Sequence, residues 1–365
     1  MPMRDERVSL AIGGKAHDGW TDYEIDSDLL VPADDFRVSL AFPAAGIPEA
    51  VAPGAAVTVR VGDDVVLTGQ IDQVNTETAK DGKQLTLQGR DGAAVLLDCS
   101  CPLFDALDMD VAAIAERIVK PLGISNIRIA AESAGKKSKV QIEPGQRAWD
   151  ALTAYAEANG VWPWFTPDGT LVIGGPDYST PLVADLLLRR DGRNNNVLTL
   201  NIQRDISARY SEITVLGQSH KGARGIKAVA RDSEVGNHRP LVVVDGEVDS
   251  QAQAERRARK LLADSRLAGL SITATVQGHR TDDGTLWTPG QRLRLVSEPD
   301  GIDGIYFLMG RTLRGGRNQP TVTELRLKED GAWVLDANPP KSKKDGSGRK
   351  KKRHKKKANE ALQVI

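Results

Sequence analysis

Five histidines, His17, His220, His238, His279 and His354, are the side chains best suited to move protons or hold a metal near neutral pH, and they stand singly. A metal or metalloprotease centre needs ligands at short fixed spacing, and the chain has no His-Glu-x-x-His, no His-x-Glu and no pair four apart on a helix. Each histidine is read as a loop or surface residue. The two thiols, Cys99 and Cys101, are two positions apart, which is neither a Cys-x-x-Cys redox pair nor half of a four-thiolate site. They read as inert turn or core cysteines of a reducing compartment or an assembled particle.

Acidic doublets recur at Asp34-Asp35, Asp63-Asp64 and Asp282-Asp283. Glycoside hydrolysis needs two carboxyls facing each other across a cleft with separated pKa values, whereas adjacent acids read as turn chemistry. Gly174-Gly175-Pro176 closes a strand without opening a helix, and neither a phosphate-cradling Gly-x-x-x-x-Gly-Lys-Ser/Thr loop nor a Gly-x-Ser-x-Gly elbow occurs. Trp149, Trp162, Trp164 and Phe165 could stack a sugar or a base, but Trp149 falls at a core-facing helical position and packing is the expected role. No catalytic, cofactor-binding or metal-ligating residue is assigned, and the chain is not read as an enzyme.

The sharpest chemical feature is electrostatic. The 365-residue chain has net charge +0, yet residues 341–357 hold eleven Lys or Arg and one acid, Asp345, a net +10, while residues 1–340 hold 38 basic and 47 acidic residues, a net −9. Lys350, Lys351, Lys352, Arg353, Lys355, Lys356 and Lys357 cannot bury apolar surface and repel one another, so a disordered arm is expected. Its candidate partners are DNA, an anionic membrane surface or an acidic protein surface. No run approaches the ~18–20 apolar residues of a membrane span, and Met1 to Leu10 lacks a signal-peptide core, so no membrane insertion is expected.

The elements that would position these groups fall into blocks. Val57, Val59 and Val61 alternate with Thr58 and Arg60, Val65 and Leu67 follow the turn Gly62-Asp63-Asp64, and Leu85 and Leu87 alternate after Asp81-Gly82. Period two with Gly/Asp turns predicts antiparallel strands with one buried face, in a small barrel or sandwich. The middle predicts helices over Asp110–Lys120, with Val111, Ile114 and Ile118 inward, and over Gln146–Asn159, with Trp149, Leu152 and Ala156 inward and Gly160 at the end. Alternation resumes from Val197, interrupted by one helix capped at Asp249 or Ser250, with Ala254, Ala258, Leu261, Leu262 and Ser265 inward. Its basic face (Arg256, Arg257, Arg259, Lys260) reads as a solvated or interface face, without the preceding helix that reading a DNA groove would require. Pro53-Gly54-x-x-Val57-x-Val59 is echoed by Pro289-Gly290-x-x-Leu293-x-Leu295, each leading into a hairpin. This reads as an internal duplication, or as two unrelated β modules with the same turn grammar. The expected units are residues 1–97, 98–196, 197–337 (with a helix over 250–268) and a tail, 338–365.

Several stretches resemble the baseplate hub proteins of Mu-type contractile phage tails, relatives of other myophage hubs and of the N-terminal part of type VI secretion spikes. They are Pro53-Gly54 through Gly69-Gln70-Ile71-Asp72 to Gly89-Arg90-Asp91; Glu143-Pro144-Gly145-Gln146 through Gly160 and Asp168-Gly169-Thr170-Leu171; Asp205 through Gln218; and Trp287-Thr288-Pro289-Gly290-Gln291. The resemblance covers about residues 4–335 and implies a β-rich α+β chain: two small tube-like antiparallel β-barrels, an inserted α+β domain and a disordered basic C-terminal tail. It further implies a homotrimer whose six barrels adapt a six-fold tail tube to a three-fold central spike. Baseplate wedge proteins, tape measure protein and transiently passing DNA are the other implied partners. The implied location is the virion baseplate, after assembly in the host cytoplasm. The other classes kept open are a tail-associated peptidoglycan-cleaving enzyme and a nucleic-acid-binding protein acting through the basic arm.

Overall fold

Seven strands occupy the first block: β1 (Val8–Ile12), β2 (Lys15–His17), β3 (Asp22–Asp28), β4 (Asp35–Ala41), β5 (Ala56–Val61), β6 (Asp64–Ala79) and β7 (Gly82–Asp91). A computed structural model describes residues 5–43, 46–130, 137–217, 225–246, 248–317 and 319–333. The strands lie in the order β3-β4-β7-β6-β5-β1-β2, every pair antiparallel. Alternation puts Leu10, Ile12, Ile25, Phe36, Val57, Val59 and Val61 into one core while Thr58 and Arg60 face outward. One detail departs from strict alternation. A bulge between Val59 and Arg60 shifts the register, so Val66 and Leu67 are buried and Val65, expected inward, is only half-buried.

The insert comprises α1 (Ala93–Asp98), β8 (Asp105–Met109), α2 (Val111–Val119), β9 (Ile127–Ile129), β10 (Lys137–Gln141), α3 (Ala148–Ala158), β11 (Trp162–Phe165) and β12 (Leu171–Gly174). Asp110 caps α2 by accepting from Ala113 N at 2.8 Å. Ile114 and Ile118 of α2 meet Trp149, Leu152 and Ala156 of α3 and Leu171 and Ile173 of β12 in a separate core. The chain stops α3 at Gly160, which takes φ +69°, so the tryptophans at its two ends come together: Trp149 and Trp162 stack edge to face at 6.4 Å.

Then follow β13 (Leu182–Leu188), β14 (Val197–Arg204), β15 (Glu212–Gly217), β16 (Lys227–Arg231), β17 (Pro240–Asp245), α4 (Gln251–Gly269), β18 (Leu270–Gln277), β19 (Arg292–Ser297), β20 (Ile302–Gly316) and β21 (Gln319–Glu329). The sheet β16-β15-β17 packs on α4 through Ile213, Val215, Ala254, Ala258 and Leu262. Ser250 caps α4, accepting from Gln253 N.

The remaining strands repeat the first block's plan. Their order is β14-β18-β21-β20-β19-β13, against β3-β4-β7-β6-β5-β1, position for position. The two Pro-Gly turns make the same hydrogen bonds. Gly54 N donates to Ile71 O at 2.7 Å and Ile71 N to Ala55 O at 2.9 Å; Gly290 N donates to Leu308 O at 2.8 Å and Leu308 N to Gln291 O at 2.8 Å. The long strands even bulge at the same place, between Ile71 and Gln73 in β6 and between Leu308 and Gly310 in β20. Because the far half of β20 also pairs with β3, both runs merge into one 13-stranded sheet.

The chain is thus β-rich with few helices, but it is not wholly antiparallel. β13 runs parallel to β19, where β1 is antiparallel to β5, and β15–β17 and β9–β12 are parallel as well. β13 enters from the insert rather than by a hairpin, which frees its direction.

Candidate assembly interface

Strand β3 of the first run is joined to β20 of the second over Gly310↔Asp28 through Gly315↔Tyr23. Charged side chains line this seam. Arg326 from β21 reaches across β20 to hold Asp26 through two nitrogens, at 2.8 and 3.0 Å, and Asp28 through Nε at 2.8 Å. Thr312 Oγ1 donates to Asp26 at 2.5 Å, and Arg314 bridges Glu24 and Glu324. Gly310 has no side chain because a Cβ there would lie 2.4 Å from the Asp28 carboxylate.

A second tie is His279, which lies in the loop after β18, as its isolation predicts, but is fully buried rather than on the surface. Thr323 Oγ1 donates to Gly278 O at 2.7 Å, so it must accept from His279 Nδ1 at 3.0 Å; Nε2 is left to accept from Tyr23 Oη at 2.8 Å. The ring is therefore neutral. Burial, reinforced by the Arg311 and Arg280 charges, lowers its pKa to about 3. Next to it Arg280 donates to Asp64 and to the Val61 carbonyl, again crossing from one run to the other.

The insert is held by polar groups too. Of the basic face of α4, expected to be solvated or an interface, Arg257 and Lys260 form an internal interface. Lys260 is 3% exposed and pairs with Glu157 of α3 and with Asp264, while Arg257 pairs with Glu157 and Asp245. Trp162 donates to Leu29 O at 2.7 Å. Where insert and both runs meet there is a cavity of about 100 Å³ lined by Asp34, Asp91, Trp164, Thr288 and Arg311. Asp34 thus belongs to a buried polar junction rather than to turn chemistry alone. Burial raises the pKa of both Asp34 and Asp91, and lowers that of the fully buried Arg311 to about 10. Arg311 Nε and Nη2 meet no acceptor among the described residues. At this volume the cavity falls below the ~300–1,000 Å³ of ordinary ligand pockets.

The other candidates disperse. His17 is half-buried and His238 exposed; His220 and His354 lie outside the described residues. Cys101 is buried and Cys99 half-buried, both as free thiols, and burial raises Cys101 to about 11. Asp63, Asp282 and Asp283 are exposed turn residues, and Asp64, exposed at the first position of β6, also serves Arg280. Among the described residues no group of three or more His, Cys, Asp or Glu could hold a metal ion, and no helix is long and apolar enough to cross a membrane. The basic residues Lys350, Lys351, Lys352, Arg353, Lys355, Lys356 and Lys357 lie outside the described residues.

What sequence reasoning missed is where backbone stays open. Among the described residues, β14 pairs only with β18, and β6 beyond Gln70 pairs only with β7. β17 likewise pairs only with β15 and exposes Val242 and Val244. Open edges are assembly surfaces or aggregation hazards unless another chain covers them.

Four family matches cover nearly all of the described body. Residues 7–91 match Mu phage baseplate assembly protein GpP-like, N-terminal, and residues 93–175 match baseplate hub protein gp44-like, second domain. Residues 209–262 match tail protein NMB1110-like, third domain, and residues 264–332 the C-terminal domain of such tail proteins. Over 326 residues the chain is 27% identical to baseplate hub protein gp44 of Escherichia phage Mu, covering 83% of this chain and 82% of that protein. The tail protein from Neisseria meningitidis MC58 is similar in structure at TM-score 0.81 and 41% identity, covering 91% of this chain and 98% of that one. The 43 kDa tail protein of prophage MuSo2 from Shewanella oneidensis gives TM-score 0.77 at 24% identity, covering 90% and 100%.

Proposed function

The chain belongs to the Mu-type baseplate hub family of phage tail proteins, and on that premise we propose that it is the structural hub of a contractile tail. Three copies close a ring in which each supplies two similar tube-like β-barrel modules. The six modules meet the six-fold tail tube on one side, and the three-fold ring seats the central spike on the other. The lumen passes tape measure protein and DNA, and baseplate wedge proteins surround the ring. The protein works in the virion and assembles in the host cytoplasm. Its role is geometric and needs no catalysis.

One observation carries this reading. The strand orders β3-β4-β7-β6-β5-β1 and β14-β18-β21-β20-β19-β13 coincide, down to the hydrogen bonds of the Gly54 and Gly290 turns. A chain built twice on one plan is what a threefold-to-sixfold adaptor requires. The net −9 of residues 1–340 suits a channel to which DNA does not adhere. The +10 arm would dock on acidic surface of a neighbouring tail protein, or on DNA, during assembly.

The test is the mass of the purified full chain by light scattering: a trimer is expected, and a strict monomer at high concentration overturns the ring. For the arm, a 1–340 truncation that enters tails as well as the full chain removes its assembly role.

A further inference from the structure

Over β14-β18-β21-β20 and β3-β4-β7-β6 the two runs share one register from the bulge outward. Matching bulges and facing residues place Gln73 where Gly310 stands in the other run, Gln88 where Arg326 stands, Phe36 where Ile272 stands and Ile25 where Ile202 stands. Within the chain, β20 residues 310–315 are covered by β3 residues 23–28. Among the described residues, the matching stretch of β6, residues 73–78, has that edge bare, and the element matching β3 is β14, whose outer edge is also bare.

β14 is the end strand of the sheet, and the far half of β6 lies seven strands away, where β6 runs on past the end of β5, so the two do not pair within one chain. We propose that β14 of one copy adds antiparallel to the far half of β6 of a second copy, repeating between chains the β3–β20 seam found within each. This rests on the hub reading and specifies its interface. Residues 200–205 of one copy then face 78–73 of the next: Asn75 opposite Gln203, Thr76 opposite Ile202, Glu77 opposite Asn201. No facing pair has like charge, and Asn75, Glu77, Asn201 and Gln203 are all exposed in the single chain. The contact is head to tail, so it forms a ring if it closes, and it uses up both edges in doing so.

The intrachain seam indicates which side chains touch. Thr312 donates to Asp26 at 2.5 Å, and these match Asn75 and Gln203; Arg314 pairs with Glu24 at 2.8 Å, and these match Glu77 and Asn201. In the full-length chain under mild oxidant, N75C/Q203C is expected to give covalent dimers and trimers. The single variants, which also report any background from Cys99 and Cys101, are expected to give none. The slipped pair N75C/I202C points its side chains to opposite faces and is also expected to stay uncrosslinked. Because both cysteine sites are exposed, folding is not at stake; light scattering reads a second variant pair independently. N201D sets two acids face to face and should raise severalfold the concentration at which the assembly dissociates, while N201K should lower it. A trimer by mass without N75C/Q203C cross-links, or with no response to N201D, overturns this register and leaves the hub reading standing. A monomer with no cross-link overturns both.

Discussion

Arg326 grips Asp26 with two parallel hydrogen bonds, Nη1 to Oδ1 at 2.8 Å and Nη2 to Oδ2 at 3.0 Å, across 300 residues of chain. Its Nε holds Asp28 as well, so a single guanidinium joins the last described strand of the second run to the seam strand of the first. Planar, two-toothed geometry of this kind suits Arg and not Lys.

Replacing Arg326 by Lys is therefore expected to destabilise the chain by about 1–2 kcal/mol, and by Ala by about 2–3 kcal/mol, because two carboxylates lose charge-assisted hydrogen bonds in a partly shielded seam. The Arg326 and Asp26 side chains are each 27% exposed, so water tempers the loss. The midpoint of urea unfolding measures it. Equal midpoints for R326K and the parent chain would show that the seam depends on charge alone.

Gly54 and Gly290 make a matched pair of substitutions. Both take a left-handed backbone, φ +83° and +94°, and a Cβ added at either meets nothing within 4 Å. The cost of Gly→Ala is then purely conformational, about 1–2 kcal/mol at each site. G54A and G290A should destabilise alike. A difference well beyond that range would mean the two turns are not energetically equivalent, whatever their hydrogen bonds.

Much of this architecture was legible in the residues. Alternating valines after Pro53-Gly54 and leucines after Pro289-Gly290 located the equivalent hairpins, and the stripe Ala254, Ala258, Leu262 located α4. Pairing between distant strands was not legible, because nothing local in Tyr23–Asp28 says that β20 will lie beside it. The same blindness hid His279, whose partners Tyr23 and Thr323 are 256 and 44 positions away. For Lys260 the residues left two readings open, a solvated or an interface face, and only the approach of Glu157 on α3 decides for the interface. The bulge beside Arg60 moved burial from Val65 to Val66, a one-residue slip that alternation alone cannot foresee.

His279 gives the chain a pH dependence of known sign. Its folded pKa is lowered to about 3 from 6.5 by burial, so the folded state binds fewer protons than the unfolded state between those values. The contribution is fully present above pH 6.5 and is lost as pH falls toward 3. His279→Gln retains polar atoms toward Tyr23 and Thr323 but does not titrate. Its stability deficit relative to the parent should therefore be largest near pH 7 and shrink on acidification. Unfolding midpoints of both chains at pH 7 and pH 4.5 decide it, and a deficit that stays constant would mean that His279 is not held neutral.

Asp91 should behave in the opposite sense. It is 5% exposed beside Asp34, and burial raises its pKa, so the folded chain prefers the protonated acid and is penalised when pH rises through the folded value. The stability it provides is complete below the unfolded value near 3.8 and disappears at alkaline pH. Its Oδ1 also accepts from Ala93 N at 2.9 Å at the start of α1, a bond that an Asn carbonyl can keep. Asp91→Asn removes the titrating charge and leaves that bond, so it is expected to stabilise the chain at pH 8 by about 1 kcal/mol or more, one pKa unit being worth 1.36 kcal/mol, and to change little at pH 4. Asp91→Ala would lose the bond as well and should be destabilising at pH 4. The contrast between the two variants separates the charge at the three-way junction from the hydrogen bond that starts the helix, because only the charge is removed by acid.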